Sequence, residues 1–96
     1  MYQIILKPKA VAMTEQAYNW YETQRVRLGE IFLSALDVCY KKLQINPNVY
    51  RRVHKHYRQA TLKKFPYVIT YEVIKNEVIV LYIFHTKRNI LHKDLT

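Results

Sequence analysis

Two apolar runs, 67–74 and 77–84, are separated by only Lys75-Asn76, and this arrangement constrains the fold more than any other stretch of the chain. Both runs are rich in β-branched and aromatic residues, the types that pack well on a pleated surface. Asn tolerates the positive φ that a two-residue hairpin requires, so the pair reads as a β-hairpin. From Val78 to Phe84 the second run is apolar without a break. That pattern predicts a strand buried on both faces and lying inside the sheet. Simple alternation then sets His85 on the face of Ile79, Leu81 and Ile83.

The rest of the chain supplies partners for this hairpin. Tyr2 to Lys7 is a short apolar run closed by Pro8, and reads as a strand ended by a breaker. Helical spacing follows from Lys9 to Leu28, with Met13, Ala17, Trp20/Tyr21 and Leu28 approximating one face. Ile31, Phe32, Ala35, Leu36, Cys39, Tyr40 and Leu43 make a second, clearer stripe. It ends before Asn46-Pro47-Asn48. Gly29, the single glycine, falls between the two patterns and is expected in a tight turn of a helical hairpin. Val49 to His56 is basic and reads as loop or a short helical turn. Tyr57 to Phe65 reads as extended, with Ala60 and Leu62 on one side and Thr61, Lys63 and Phe65 on the other. The expected fold is α+β, in the order β-α-α-β-β-β, with a helical hairpin packed on one face of a small mixed, mainly antiparallel sheet. Residues 1–96 are expected to form one domain.

Charge narrows the partners. Of 16 Lys/Arg and 7 Asp/Glu, ten cations and three acids lie in residues 48–96, together with all four His. Such a field attracts nucleic acid, an anionic membrane or an acidic protein without choosing between them. One Cys rules out an internal disulfide framework and fits a reducing cytoplasm. The N-terminal apolar run has no basic segment before it and is too short to span a bilayer. A cytoplasmic protein with no membrane partner is expected.

At this point the residues resemble a family. Trp20-Tyr21-Glu22 with Gln24, Leu28-Gly29 with Phe32, Asn46-Pro47, Tyr57-Arg58, Phe65-Pro66-Tyr67 with Ile69 and Tyr71, and Phe84-His85-Thr86-Lys87-Arg88-Asn89 occur in order over about nine-tenths of the chain. Together they resemble the RelE/ParE superfamily of toxins from bacterial type II toxin–antitoxin modules, nearest the ParE-like branch. The resemblance implies a toxin held inactive by a cognate antitoxin that wraps it with a disordered or helical segment. It also implies one of two targets. ParE-type members poison DNA gyrase; RelE-type members enter the ribosome and cut mRNA. A toxin that has lost activity but still binds its antitoxin is the third possibility.

Metal-free RNA cleavage needs a base for the 2′-hydroxyl, an acid for the leaving oxygen and cations for the developing charge. His85, Arg58 and Arg88 would carry those roles if the chain were a ribonuclease, with no cofactor. Arg58, Lys63, Lys64, His85, Lys87 and Arg88 form the expected surface for nucleic acid or target. Against catalysis, Val68 follows Tyr67 where ribonuclease members often carry a basic residue, and the tail from Ile90 lacks their Tyr or His-Tyr. The gyrase reading is therefore preferred. Structural roles compete at each position: a boundary histidine for His85, an ion pair or loop contact for Arg58 and Arg88, solvated charge for Lys63 and Lys64. His54 and His56 have no accompanying carboxylate or Cys in the sequence, and no metal site is expected. Cys39 is expected in the core, and Trp20 and Tyr21 are expected to clamp helix to sheet.

Overall fold

The computed structural model describes residues 1–87. Its elements are β1 (Gln3–Leu6), α1 (Pro8–Gln24), α2 (Leu28–Ile45), a 3-10 turn (Pro47–Val49), β2 (Arg52–His54), β3 (Tyr57–Thr61), β4 (Tyr67–Ile74) and β5 (Glu77–His85). The five strands form one sheet in the order β1-β5-β4-β3-β2. Only β1 and β5 run parallel, because the helical hairpin returns the chain across one face of the sheet. The expected architecture is thus present, with one strand more than the pattern showed. Among the described residues no helix is long and apolar enough to cross a membrane.

Pro8 opens α1, where its missing N–H and fixed φ cost nothing. Lys7 donates its N–H to the Val80 carbonyl and ties the end of β1 to β5. Helix α2 buries Phe32, Leu36, Cys39 and Leu43, a stripe at four-, three- and four-residue steps. Tyr21 and Phe32 meet Phe65 and Tyr67 across the layer, with ring centroids 4.9–6.1 Å apart. This four-ring cluster joins both helices to the start of β4. Cys39 lies in the same core, as expected.

Gly29 is not in the turn. The turn is Arg25-Val26-Arg27, with Arg27 at φ 74°, and Gly29 is a buried residue inside α2. A Cβ there would lie 2.7 Å from Tyr18 Cδ1 and 2.8 Å from both Glu22 Cγ and the Tyr18 carbonyl oxygen. The glycine exists for close approach of the helices, not for backbone freedom. Its N–H donates to Glu22 Oε2 at 2.7 Å, so a carboxylate of α1 caps the positive end of α2.

Other details also depart from the pattern. Residues 52–54 form an edge strand, missed because it is short and exposed throughout. Strand β3 stops at Thr61, so Phe65 leaves the strand register and is buried with Leu62. Most consequential is β5, where Thr70 pairs with Tyr82 but Tyr71 pairs with Val80. Leu81 is the extra residue of a bulge, and the alternation reverses there. Val78 and Val80 face the helices before it, and Ile83 and His85 after it. The outer face is only partly covered, with Tyr82 41% and Ile5 37% exposed. The unbroken apolar run therefore reflects a central strand with a bulge rather than burial on both faces.

Two phenols are held neutral inside this fold. Tyr71 is fully buried and donates to the Pro47 carbonyl at 2.6 Å, while the buried Tyr40 hydroxyl has no hydrogen-bond partner among the described residues. Burial pushes both well above the ordinary phenol range; the nearby Arg58 charge opposes it at Tyr71. A raised folded-state pKa means the stability is intact below the unfolded value, about 10, and is lost as pH rises toward the folded value. Alkaline unfolding is expected above that point, with tyrosinate absorbance and loss of structure appearing together. At neutral pH, Tyr71→Phe should cost about 1–2 kcal/mol by orphaning a buried carbonyl. Tyr40→Phe should be neutral or stabilising, because it deletes an unsatisfied hydroxyl. Urea unfolding of the two variants checks the opposite signs, and equal losses would refute this reading.

Candidate functional site

The bulge at Leu81 is what builds the site. It turns His85 to the helix side, where it pairs across the sheet with Tyr67, its ring edge-on to the phenol at 5.3 Å. Thr86 donates its N–H to the Pro66 carbonyl at 2.7 Å, which anchors the end of β5 to the Phe65-Pro66 loop. Between α1 and this corner lies a cleft of about 290 Å³ lined by Met13, Gln16, Ala17, Trp20, Tyr67, Phe84 and His85. The Lys87 backbone N–H donates to His85 Nδ1 at 3.0 Å. In the neutral ring the proton therefore sits on Nε2.

The expected site residues separate into groups. Lys63 and Lys64 lie in the β3–β4 loop at the same end of the sheet as His85 and Lys87, since Leu62 bonds to Tyr67 and Tyr67 pairs with His85. The two lysines also rim a second hollow of about 150 Å³ beside Lys42, Tyr50 and Cys39, where burial pushes the Cys39 thiol up. Arg58 is elsewhere. It pairs with Tyr71, four residues along β4 from Tyr67, and β4 lies between it and β5. Strand spacing and rise then put Arg58 and His85 roughly 16 Å apart. Its guanidinium donates to the carbonyls of Asn48 and Tyr50, holding the 3-10 turn against the sheet. Arg88 lies outside the described residues.

Sequence reasoning passed over the cleft's walls. Trp20 does not clamp helix to sheet as Tyr21 does; it is 41% exposed and flanks the cleft, edge-on to Tyr21 at 5.0 Å. Its neighbour's burial was the available signal, because adjacent helical residues differ in direction by about 100°. His56 pairs with Glu72 at 2.8 Å and His54 packs on Tyr57. Among the described residues no three His, Cys, Asp or Glu side chains converge.

Comparison with known proteins extends this geometry. The family model described as the ParE toxin of the type II toxin–antitoxin system, parDE, matches residues 4–90. No curated protein sequence matches the chain. Among solved structures, the chromosomal ParDE toxin–antitoxin system from P. aeruginosa is similar with a TM-score of 0.80 and 21% identity, covering 91% of this chain and 98% of that one. The intact E. coli RelBE toxin–antitoxin complex gives 0.69 and 16%, covering 92% and 100%. The isolated E. coli RelE toxin gives 0.68 and 16%, covering 99% and 95%. At these identities the structural likeness speaks to the fold.

Proposed function

Because the chain belongs to the ParE toxin family of type II toxin–antitoxin systems, we propose that it acts in the cytoplasm by binding and inhibiting DNA gyrase, and that a cognate antitoxin neutralises it. The observation that carries this reading is the separation of Arg58 from His85. The ribonuclease read from the sequence would bring an imidazole and the forked guanidinium of Arg58 to one reacting centre within hydrogen-bond reach. Here the guanidinium is committed to loop carbonyls, and the backbone position of Arg58 lies roughly 16 Å from that of His85. Val68, buried after Tyr67, offers no substitute cation. Lys63, Lys64, His85 and Lys87 instead make a polar rim at one end of the sheet, beside a cleft with aromatic walls. They form the proposed target-facing surface. Rims of this kind set on-rate and register, while the aromatic walls of the cleft seat an anchoring side chain of the target.

The test is supercoiling of relaxed plasmid by purified gyrase. Adding the chain should block it, adding antitoxin should restore it, and cellular mRNA should keep its 5′ ends during induction. Untouched supercoiling would sink the proposal. New mRNA ends that vanish in His85→Ala would establish the second reading, a metal-independent, ribosome-dependent endoribonuclease. That reading has one observation in its favour: Nδ1 of His85 already accepts a hydrogen bond, which orients the ring at the cleft wall. Antitoxin capture without growth arrest would mark an inactive binding module.

A further inference from the structure

The end of the sheet opposite the cleft holds a second concentration of charge that the gyrase reading does not use. The chain runs Arg51-Arg52-Val53-His54-Lys55-His56 through β2 and its turn, and all these side chains are exposed. Antiparallel pairing of β3 with β4, and of β4 with β5, sets Lys75 at the same end as Lys55. Arg52 and Arg51 continue the charge along the β2 edge beside Arg58 and Gln59. Lys55 and Lys75 occupy the two hairpin tips, with φ of 50° and 56°. Ion pairing does not absorb this charge. Among the described residues the close pairs are Lys41 with Asp37 and His56 with Glu72, so Arg51, Arg52, Lys55 and Lys75 remain outside both.

We propose that this end of the sheet binds the phosphate backbone of a nucleic acid without reading its sequence. Three observations favour phosphate over protein. Val53 is the single apolar side chain between Arg51 and His56, whereas a protein interface draws its affinity from a buried apolar centre. The pairing of β2 with β3 shifts register between Arg52 and His54, and a bulged, cationic edge resists addition of a peptide strand. The rings of His54 and His56 pack on Tyr57, with centroids 6.5 and 4.7 Å away, which engages them with each other rather than with bases. What remains for a ligand is point charge, the chemistry of non-specific phosphate contact. The contact does not depend on which target the toxin has.

Fluorescence anisotropy of the purified full chain with a short labelled DNA duplex and a labelled single-stranded RNA tests this. Four contacting cations predict that affinity falls roughly a hundredfold between about 50 and 200 mM salt. Replacing Arg51, Arg52 and Lys55 together by Gln should lower the logarithmic salt slope by about 2–3, with the thermal midpoint unchanged. Equal charge removal at the other end, by Lys63→Gln, Lys64→Gln and Lys87→Gln, should leave most of the slope in place. Lys55→Gln with Lys75→Gln gives a second, milder reading should the triple variant fail to fold. Whichever nucleic acid binds more tightly identifies the source of the phosphate. No binding at low salt, an unchanged slope in the hairpin variants, or equal binding of poly-glutamate would overturn the proposal. Gyrase inhibition is read in a separate assay, so either result stands without the other.

Discussion

Phe32→Ala should lower the unfolding free energy by about 3–5 kcal/mol, a large part of the roughly 5–15 kcal/mol available to a domain of this kind. Phe32 is fully buried and touches three other rings, Tyr21, Phe65 and Tyr67, at 4.9–5.3 Å between centroids. Those rings come from α1, the β3–β4 loop and β4. Removing the central one leaves a cavity bounded by three different elements, which cannot collapse without shifting a helix against the sheet. The damage should reach the cleft, because Tyr67 is both a member of the cluster and a cleft wall. Urea titration measures the loss, and near-ultraviolet dichroism should report loosened aromatic packing. Trp20→Ala is the contrast: that side chain is partly exposed, so its removal should cost less while altering the cleft. A loss below about 1 kcal/mol for Phe32→Ala would mean the site repacks as freely as a surface position.

Gly29→Ala should also destabilise, against the direction that helix propensity predicts. Propensity favours Ala by at most about 1 kcal/mol, the helix-interior figure, and by less at this second position of α2. Opposing it, the new methyl would sit 2.7–2.8 Å from two side-chain atoms and from the Tyr18 carbonyl oxygen. Tyr18 and Glu22 can swing their side chains aside, but the carbonyl belongs to the backbone of α1 and yields only if the helices part. Overpacking of this type costs about 1–3 kcal/mol, and the net loss should grow further with Gly29→Val. Separation of the helices would also lengthen the 2.7 Å bond from Gly29 N–H to Glu22. Glu22→Ala by itself should cost about 1 kcal/mol, and the double variant should lose less than the sum of the two single changes. A higher melting temperature for Gly29→Ala would show that the helices have room to spare.

Much of the fold was legible because it rests on local periodicity. The 3.6-residue spacing of Phe32, Leu36, Cys39 and Leu43 belongs to α2 whatever it packs against. The hairpin of β4 and β5 follows from two β-rich runs and a two-residue turn. The edge strand β2 was not legible, since three exposed residues carry no alternation to detect. Phe65 was misplaced for a related reason: the end of β3 is decided by where β4 stops pairing, not by residue type. At the candidate site, the end of β5 was visible in the sequence as a change from apolar strand to His-Thr-Lys. The separation of Arg58 was not, because two residues 27 positions apart reveal their distance only through strand order and register.

Residues alone therefore determine the two helices and the β4–β5 hairpin, the core stripe of α2, the single basic half and the resemblance to the RelE/ParE superfamily. The first three depend on neighbours within a few positions or on counts, and the resemblance on the order of residues along the chain. Only the tertiary structure decides which way His85 faces, what Gly29 is for and which cations stand together. The bulge at Leu81 arises from pairing β5 with β4, the glycine contact from the approach of α1 to α2, and the two basic ends from a sheet order that departs from chain order. These are properties of contacts between distant segments. One residue of register is enough to turn the same histidine from the outer face of the sheet into the wall of the cleft.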